Sequence, residues 1–242
     1  MRSSLWFRQT NTLDFKTMSL VRPQELPYSP ISRATIQENV YGRIREMILN
    51  GDIEPGRTVT VSSLSEAFGV SAMPVREAMH RLVAEKALKV VAGRSVGIPP
   101  LSAARLEDLR RVRCEIEGMA TEWAAAAITP AELRHLDELI AVMEAAKAVK
   151  DRARYVPANR DFHFTIYKAA GSPALMAIIE SLWLQIGPYI NLLKETENWS
   201  RANEDHKAIR DALGRGDRLA AKTALQEDIT EAAKALESVL KR

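Results

Sequence analysis

Two short stretches of the 242-residue chain carry side chains whose types and spacing suit chemistry. In GVSAMPVREAMHRL, residues 69–82, Arg76 and His80 are four apart and share a face if the segment is helical. An outward arginine can donate two parallel hydrogen bonds to a guanine edge, worth about 1–3 kcal/mol of discrimination. In ANRDFHFTIYKAAGSPAL, residues 158–175, Asn159 and His163 have the same spacing, which lets two side chains grip one ion. His206 in NEDHKAIRDALGRGD and Asp228 in LQEDITEAA stand on two later helical stretches, one each. His135 follows Arg134 on an amphipathic stretch and reads as solvated.

The helix holding Arg76 must position it. Val75, Ala78, Met79 and Leu82 fall on one face, so Arg76 and His80 point the other way together with Ala72 and Met73. Ser71 caps this helix, and Pro74 sits in its first turn, where a missing N–H costs little. Ser71 and the helix N-terminus suit a phosphate. Solvation of an exposed helix face explains Arg76 and His80 equally well by phase alone.

Upstream, ATIQENVYGRIREMIL reads as an amphipathic helix over 34–49, with Ile36, Val40, Ile44 and Ile48 on its apolar face and Tyr41 and Met47 beside it. Ser63 and Glu66 have capping-box spacing before a short helix that Gly69 ends. The valine-rich ALKVVAGRSVGI turns at Gly93-Arg94-Ser95 and reads as a hairpin. Three helices and a hairpin make a winged helix-turn-helix, over residues 33–100. Beyond PPLS the texture becomes all-helical, giving a second domain over 101–242 of about six helices: 104–128, 130–150, 157–170, 173–195, 199–213 and 216–240. Thr129 and Glu132 form a capping box between the first two of these. Residues 1–32, with three prolines in RPQELPYSP and no sustained period, read as a flexible arm.

Composition narrows the class. The formal charge is +3 and the pI near 9.0, which permits a nucleic-acid partner without demanding one. Residues 1–32 carry 4 basic and 2 acidic side chains, 33–100 carry 9 and 7, and the rest 21 and 22, so the positive excess lies in the first hundred residues. Cys114 is alone, which excludes an internal disulfide and reads as a small buried residue in a reducing compartment. No apolar run suits a signal peptide or a membrane span, so a cytoplasmic protein with no membrane partner is expected.

The run GRIREMILNGDIEPGRTVTVSSLSEAFGVSAMPVREAMHRLVAEKALKV resembles the DNA-binding domain of the GntR family of bacterial transcription regulators, over about residues 36–98. The resemblance implies that Arg76 contacts bases, that Arg94 at the wing tip reaches toward the minor groove, and that Arg43 or Arg45 touches the DNA backbone. Where relatives place arginine and threonine after the capping serine, this chain has Ala72 and Met73. A guanine contact is lost there, while a methyl-bearing side chain can pack on a thymine methyl.

The second half resembles the FCD effector domain over about 104–238, on RRVRCEIEGMATEWAA, NRDFHFTIYKAAGSPAL and EDHKAIRDALGRGD. The resemblance implies a divalent metal held by an Asp or Asn and three histidines, with small organic acids bound at or beside it. Asn159, His163 and His206 match that pattern, and Asp228 stands where the third histidine is expected. The ligand charge of −1 is kept, with the carboxylate moved to the last helix. Zinc, nickel, manganese and iron all suit such donors; the alternative is a polar pocket in which the same four residues hold water or ligand directly. Arg113 matches a family position suited to an acid, and Trp183, Tyr189 and Asn191 are further effector-pocket candidates, with core packing as their alternative. The expected function is a non-enzymatic repressor that binds a palindromic operator as a homodimer and responds to a small organic acid. Two rivals remain: a metal-dependent enzyme domain on a DNA anchor, and a ligand-free dimerisation bundle.

Overall fold

The computed structural model describes residues 33–92, 95–190, 192–193 and 202–241. The arm at 1–32, Arg94 and Asn191 lie outside the described residues. The first element, α1 (Arg33–Leu49), buries Val40, Tyr41, Ile44 and Ile48, but Ile36 stays 42% exposed. The apolar stripe therefore engages the core only from its second turn onward.

After α1 comes a short strand that the sequence reading lacked, β1 (Thr58–Thr60), followed by α2 (Val61–Phe68) and α3 (Ala72–Ala84). The cap of α2 is Thr60 rather than Ser63. Thr60 ends the strand in an extended conformation, its Oγ1 accepts from the Ser63 N–H at 3.1 Å, and its own N–H donates to Ser63 Oγ at 3.1 Å. Ser63 is thus the reciprocal partner at the third helical position. Gly69 ends α2 at φ 64°, the left-handed conformation that favours glycine. The hairpin is β2 (Lys89–Ala92) and β3 (Ser95–Gly97), and β1 adds to its far edge in the antiparallel order β1-β3-β2. Val96 pairs with both Val59 and Val90.

The helical half follows as α4 (Ala103–Ala124), α5 (Pro130–Ala148), α6 (Arg152–Ala169), α7 (Pro173–Ile190), α8 (Ala202–Gly214) and α9 (Arg218–Leu240). The Thr129–Glu132 capping box is present. Helix α6 begins five residues before the expected start, capped by Asp151, and carries Pro157 internally. With Asp151 as cap, Pro157 is the sixth helical residue, where it forgoes one backbone hydrogen bond, to the carbonyl of Ala153, without ending the helix. Helix α4 stops at Ala124, four residues short of expectation.

The winged helix and the bundle are in contact. A Cβ on Gly187 of α7 would lie 3.3 Å from Leu49 Cδ2, so glycine lets the end of α1 lie close against α7. Arg45 on α1 donates to Glu180 on α7 at 3.1 Å, and Arg160 on α6 donates to Glu46 and Asn50 at the C-terminal end of α1 at 2.9 and 3.2 Å. Arg105 on α4 donates to the Lys86 carbonyl and to Gln185, each at 3.3 Å.

Candidate functional site

Helix α3 presents the first candidate surface. Pro74, Val75, Ala78, Met79 and Leu82 are buried, and Ser71, Ala72, Met73, Arg76 and His80 are exposed, Met73 at 57%. Ser71 is the N-cap residue, yet its side chain makes no capping hydrogen bond, which leaves its hydroxyl free of the helix. Arg81, one turn beyond Glu77, is used internally. Its guanidinium lies 3.7 Å from the Tyr41 ring centre and bonds Glu85 and Glu38 at 3.1 and 3.3 Å. Arg43 is exposed on α1, whereas Arg45 is engaged with Glu180 in the bundle. Of Arg43 and Arg45, Arg43 is the one left open to an external phosphate.

The second candidate is buried inside the bundle. His163 comes from α6, His206 from α8 and Asp228 from α9, and one potential ligand atom from each lies within 4.8 Å of the others. His163 Nε2 is 3.6 Å from Asp228 Oδ2, and His206 Nε2 is 3.8 Å from Asp228 Oδ1. These separations are too long for hydrogen bonds, but they match donors that each sit 2.0–2.2 Å from a shared cation. Asn159, one turn before His163, lines the same cavity.

A chain of hydrogen bonds fixes which nitrogen of His163 faces that point. Glu117 on α4 is fully buried and accepts from Arg113 Nε and Nη2 at 2.6 and 3.1 Å, from Trp183 Nε1 at 3.1 Å and from the Tyr167 hydroxyl at 2.5 Å. Tyr167 has one proton, and it is given to Glu117. Its oxygen can therefore only accept from His163 Nδ1, 3.4 Å away. A neutral His163 that donates through Nδ1 turns the lone pair of Nε2 toward Asp228, the tautomer a metal needs.

Electrostatics agree with that arrangement. Burial holds the His163 imidazole well below its usual range, with His206 and Arg113 adding to the effect, and burial takes His206 down to about 3. Burial and then Asp205 push the Asp228 carboxyl up to about 7, against a lowering by Arg113. The site thus offers two neutral imidazoles and a carboxyl whose charge is disfavoured by burial first and by Asp205 second. His206 Nδ1, the ring nitrogen not turned to Asp228, is buried without a hydrogen-bond partner among the described residues. A divalent cation would satisfy lone pairs that otherwise face one another across the gap, so the donor set fits one.

The other effector-pocket candidates separate. Arg113 and Trp183 line the cavity, with the guanidinium 5.4 Å from the Trp183 ring centre. Tyr189 does not line it: its hydroxyl donates to the carbonyl of Pro99, in the segment joining the two halves, so it serves as a domain contact. Glu117 and Tyr167 were missed in the sequence, where the Arg113–Glu117 spacing of four was their one visible trace. His135 is exposed and contacts Glu138, and Cys114 is buried, both as expected.

Comparison with known proteins joins these two surfaces in one lineage. Residues 36–98 match the family described as bacterial regulatory proteins, gntR family, and residues 108–231 match the FCD domain. The HTH-type transcriptional regulator McbR of Escherichia coli (strain K12) is 32% identical over 161 residues, covering 66% of this chain and 73% of that protein. The gluconate operon transcriptional repressor of Bacillus licheniformis is 26% identical over 198 residues, covering 79% and 81%. The solved structure of E. coli McbR/YncC superposes with a TM-score of 0.78 at 28% identity, covering 85% of this chain and 98% of that one.

Proposed function

Because this chain belongs to the gntR family of bacterial regulatory proteins, with an FCD domain, and is a DNA-binding transcription regulator, we propose that it represses from a two-fold operator as a homodimer and releases it in response to a small organic acid bound beside a divalent metal. The relatives are transcriptional regulators, which sets aside the reading of the bundle as a metal-dependent enzyme. Among the described residues no helix is long and apolar enough to cross a membrane, in keeping with a cytoplasmic regulator.

Arg76 reads a base edge from the exposed face of α3, flanked by His80, with Ala72 and Met73 at the start of the helix. Ser71, the helix N-terminus and Arg43 hold phosphates. The two-fold operator follows from a pair of such helices placed about one helical turn, roughly 34 Å, apart on the duplex.

In the bundle, Asn159, His163, His206 and Asp228 would hold the metal, which supplies a Lewis-acidic anchor for the acid's carboxylate. Glu117, through Tyr167, keeps His163 in the tautomer that offers Nε2. Arg113 adds positive charge at the cavity wall, although two of its donors are committed to Glu117. An effector alters DNA affinity only through its differential affinity for two arrangements of the molecule. Helices α6 and α7 are suited to link them. Asn159 and His163 line the cavity while Arg160 binds α1, and Trp183 lines it while Glu180 and Gly187 meet α1.

The observation that carries the metal reading is the pair of buried imidazole nitrogens facing one half-buried carboxylate at 3.6 and 3.8 Å. Metal analysis of the purified chain tests it: about one divalent ion per chain is expected, lost from His206→Ala. An ion-free protein that takes up no zinc, nickel, manganese or iron would leave the direct polar pocket instead.

A further inference from the structure

The lining of the effector cavity turns from polar to mostly apolar along the bundle axis, most completely on α7 and α9. Arg113, His163, Trp183 and Asp228 form a polar floor, each from a different helix: α4, α6, α7 and α9. Moving away from that floor toward the start of α4 and α6 and the end of α7 and α9, the lining becomes mostly apolar. Asn159 on α6, Ile186 on α7 and Ile229 with Ala232 on α9 form the next layer, and Leu106 on α4, Val156 beside Tyr155 on α6, Ile190 on α7 and Leu236 on α9 the one beyond. Arg110 borders this channel, but its guanidinium is turned to Glu107 at 2.7 Å on two nitrogens, so its stem rather than its charge faces inward.

Seven residues separate His163 from Val156 and Trp183 from Ile190, and eight separate Asp228 from Leu236. At about 1.5 Å of rise per residue, the apolar channel above the floor runs roughly 10 Å. A di- or tricarboxylate would place its second charge against these aliphatic walls, where an unpaired buried charge is strongly disfavoured. With a divalent cation held by the one carboxylate of Asp228, the floor would have about one positive charge to spare, because Arg113 is already balanced by Glu117.

We infer that the effector is an amphiphilic monocarboxylate, its head group at the floor and an apolar body of about six to eight carbons, aliphatic or aromatic, filling the channel. This rests on the reading of the cavity as an acid-sensing, metal-centred site and names the class of acid that the walls select. Polar groups at one end fix orientation while the walls supply most of the affinity.

The test is calorimetric titration of the full-length protein with straight-chain monocarboxylates from butyrate to decanoate, and with succinate and citrate, in the presence of manganese and again after chelation. The expected result is a dissociation constant that falls about three- to fourfold per added methylene up to about octanoate, with succinate and citrate much weaker. Ala232→Leu, which narrows the channel one turn above Asp228, should move the preferred chain to a shorter one; the wild-type series stands whether or not this variant folds. Tighter binding of succinate or citrate than of octanoate, or an affinity independent of chain length, would overturn the proposed class while leaving an acid sensor. Heat from none of these acids, with or without manganese, would overturn the acid-sensing reading as well.

Discussion

Arg160 and Glu46 join the effector bundle to the DNA-binding half: the guanidinium on α6 donates to the carboxylate on α1 at 2.9 Å, one residue along from the cavity-lining Asn159. A shift of α6 by a ligand at Asn159 and His163 is therefore felt directly by α1. An ion pair this exposed contributes only about 0–1 kcal/mol to stability, so Arg160→Ala should fold and bind operator nearly as the wild type does. Its response to effector should shrink, by a coupling of about 0.5–2 kcal/mol. Operator affinity measured with and without effector in both proteins checks this; an unchanged response would place the coupling elsewhere, with Arg45–Glu180 the next pair to test.

On the DNA side, Arg76→Ala should weaken operator binding by about 1–3 kcal/mol and relax the preference at one base position of each half-site. Arg81→Ala makes an informative contrast. Arg81 holds Tyr41, Glu85 and Glu38 within the domain, so its loss should lower the melting temperature without relaxing base preference. Binding-site selection with each variant separates the two. The same selection on the wild type should show no guanine requirement opposite Ala72 and Met73.

The Glu117 carboxylate and the Tyr167 hydroxyl can be removed separately. Glu117→Ala leaves the buried Arg113 unpaired, a loss of about 3–5 kcal/mol measurable by denaturant unfolding. Tyr167→Phe is milder and more telling: Arg113 keeps its partner, but His163 Nδ1 loses its acceptor, and metal affinity should drop about 10- to 100-fold. Equal metal affinity in wild type and Tyr167→Phe would show that the hydroxyl does not set the His163 tautomer.

The shifted groups give metal binding a defined pH dependence. With Asp228 raised to about 7, its carboxyl is protonated below that pH in the metal-free protein and must be deprotonated to coordinate. His163 and His206 are already neutral, so they release nothing. Calorimetry in buffers of different ionisation enthalpy should show about one proton released per metal near pH 6 and almost none above pH 8. Affinity should thus rise toward pH 7 and then level. Release of two or more protons near pH 6 would mean that the histidines are charged before metal arrives.

Much of this was legible from periodicity. The inward face of α3 repeats at helical spacing, which by itself turns Arg76 and His80 outward, and the Asn159–His163 spacing puts both on one wall of the cavity. Strand β1 was not legible, because three residues of TVT carry no period and earn their place only by pairing with β3. The start of α6 was hidden for a different reason: a proline in the second turn looks like a boundary in sequence, whereas the Asp151 cap is set by the turn before it. Glu117 and Tyr167 escaped notice because their role depends on bringing α4 and α6 together, a long-range relationship that spacing does not encode. Tyr189 sat on the right helix but faced the linker carbonyl of Pro99 rather than the cavity.

Operator affinity, measured by fluorescence anisotropy on duplex DNA from upstream of the protein's own gene at one fixed salt concentration, tests most directly whether the buried cluster governs DNA binding. Wild type and Asp228→Ala are compared, each with metal and the tightest-binding acid of the calorimetric series and each without. The wild type should bind the duplex and lose affinity when both are added, while Asp228→Ala binds the same duplex and does not respond. An equal loss of affinity in the two proteins, or none in either at saturating metal and acid, would contradict the claim that His163, His206 and Asp228 form the sensing centre.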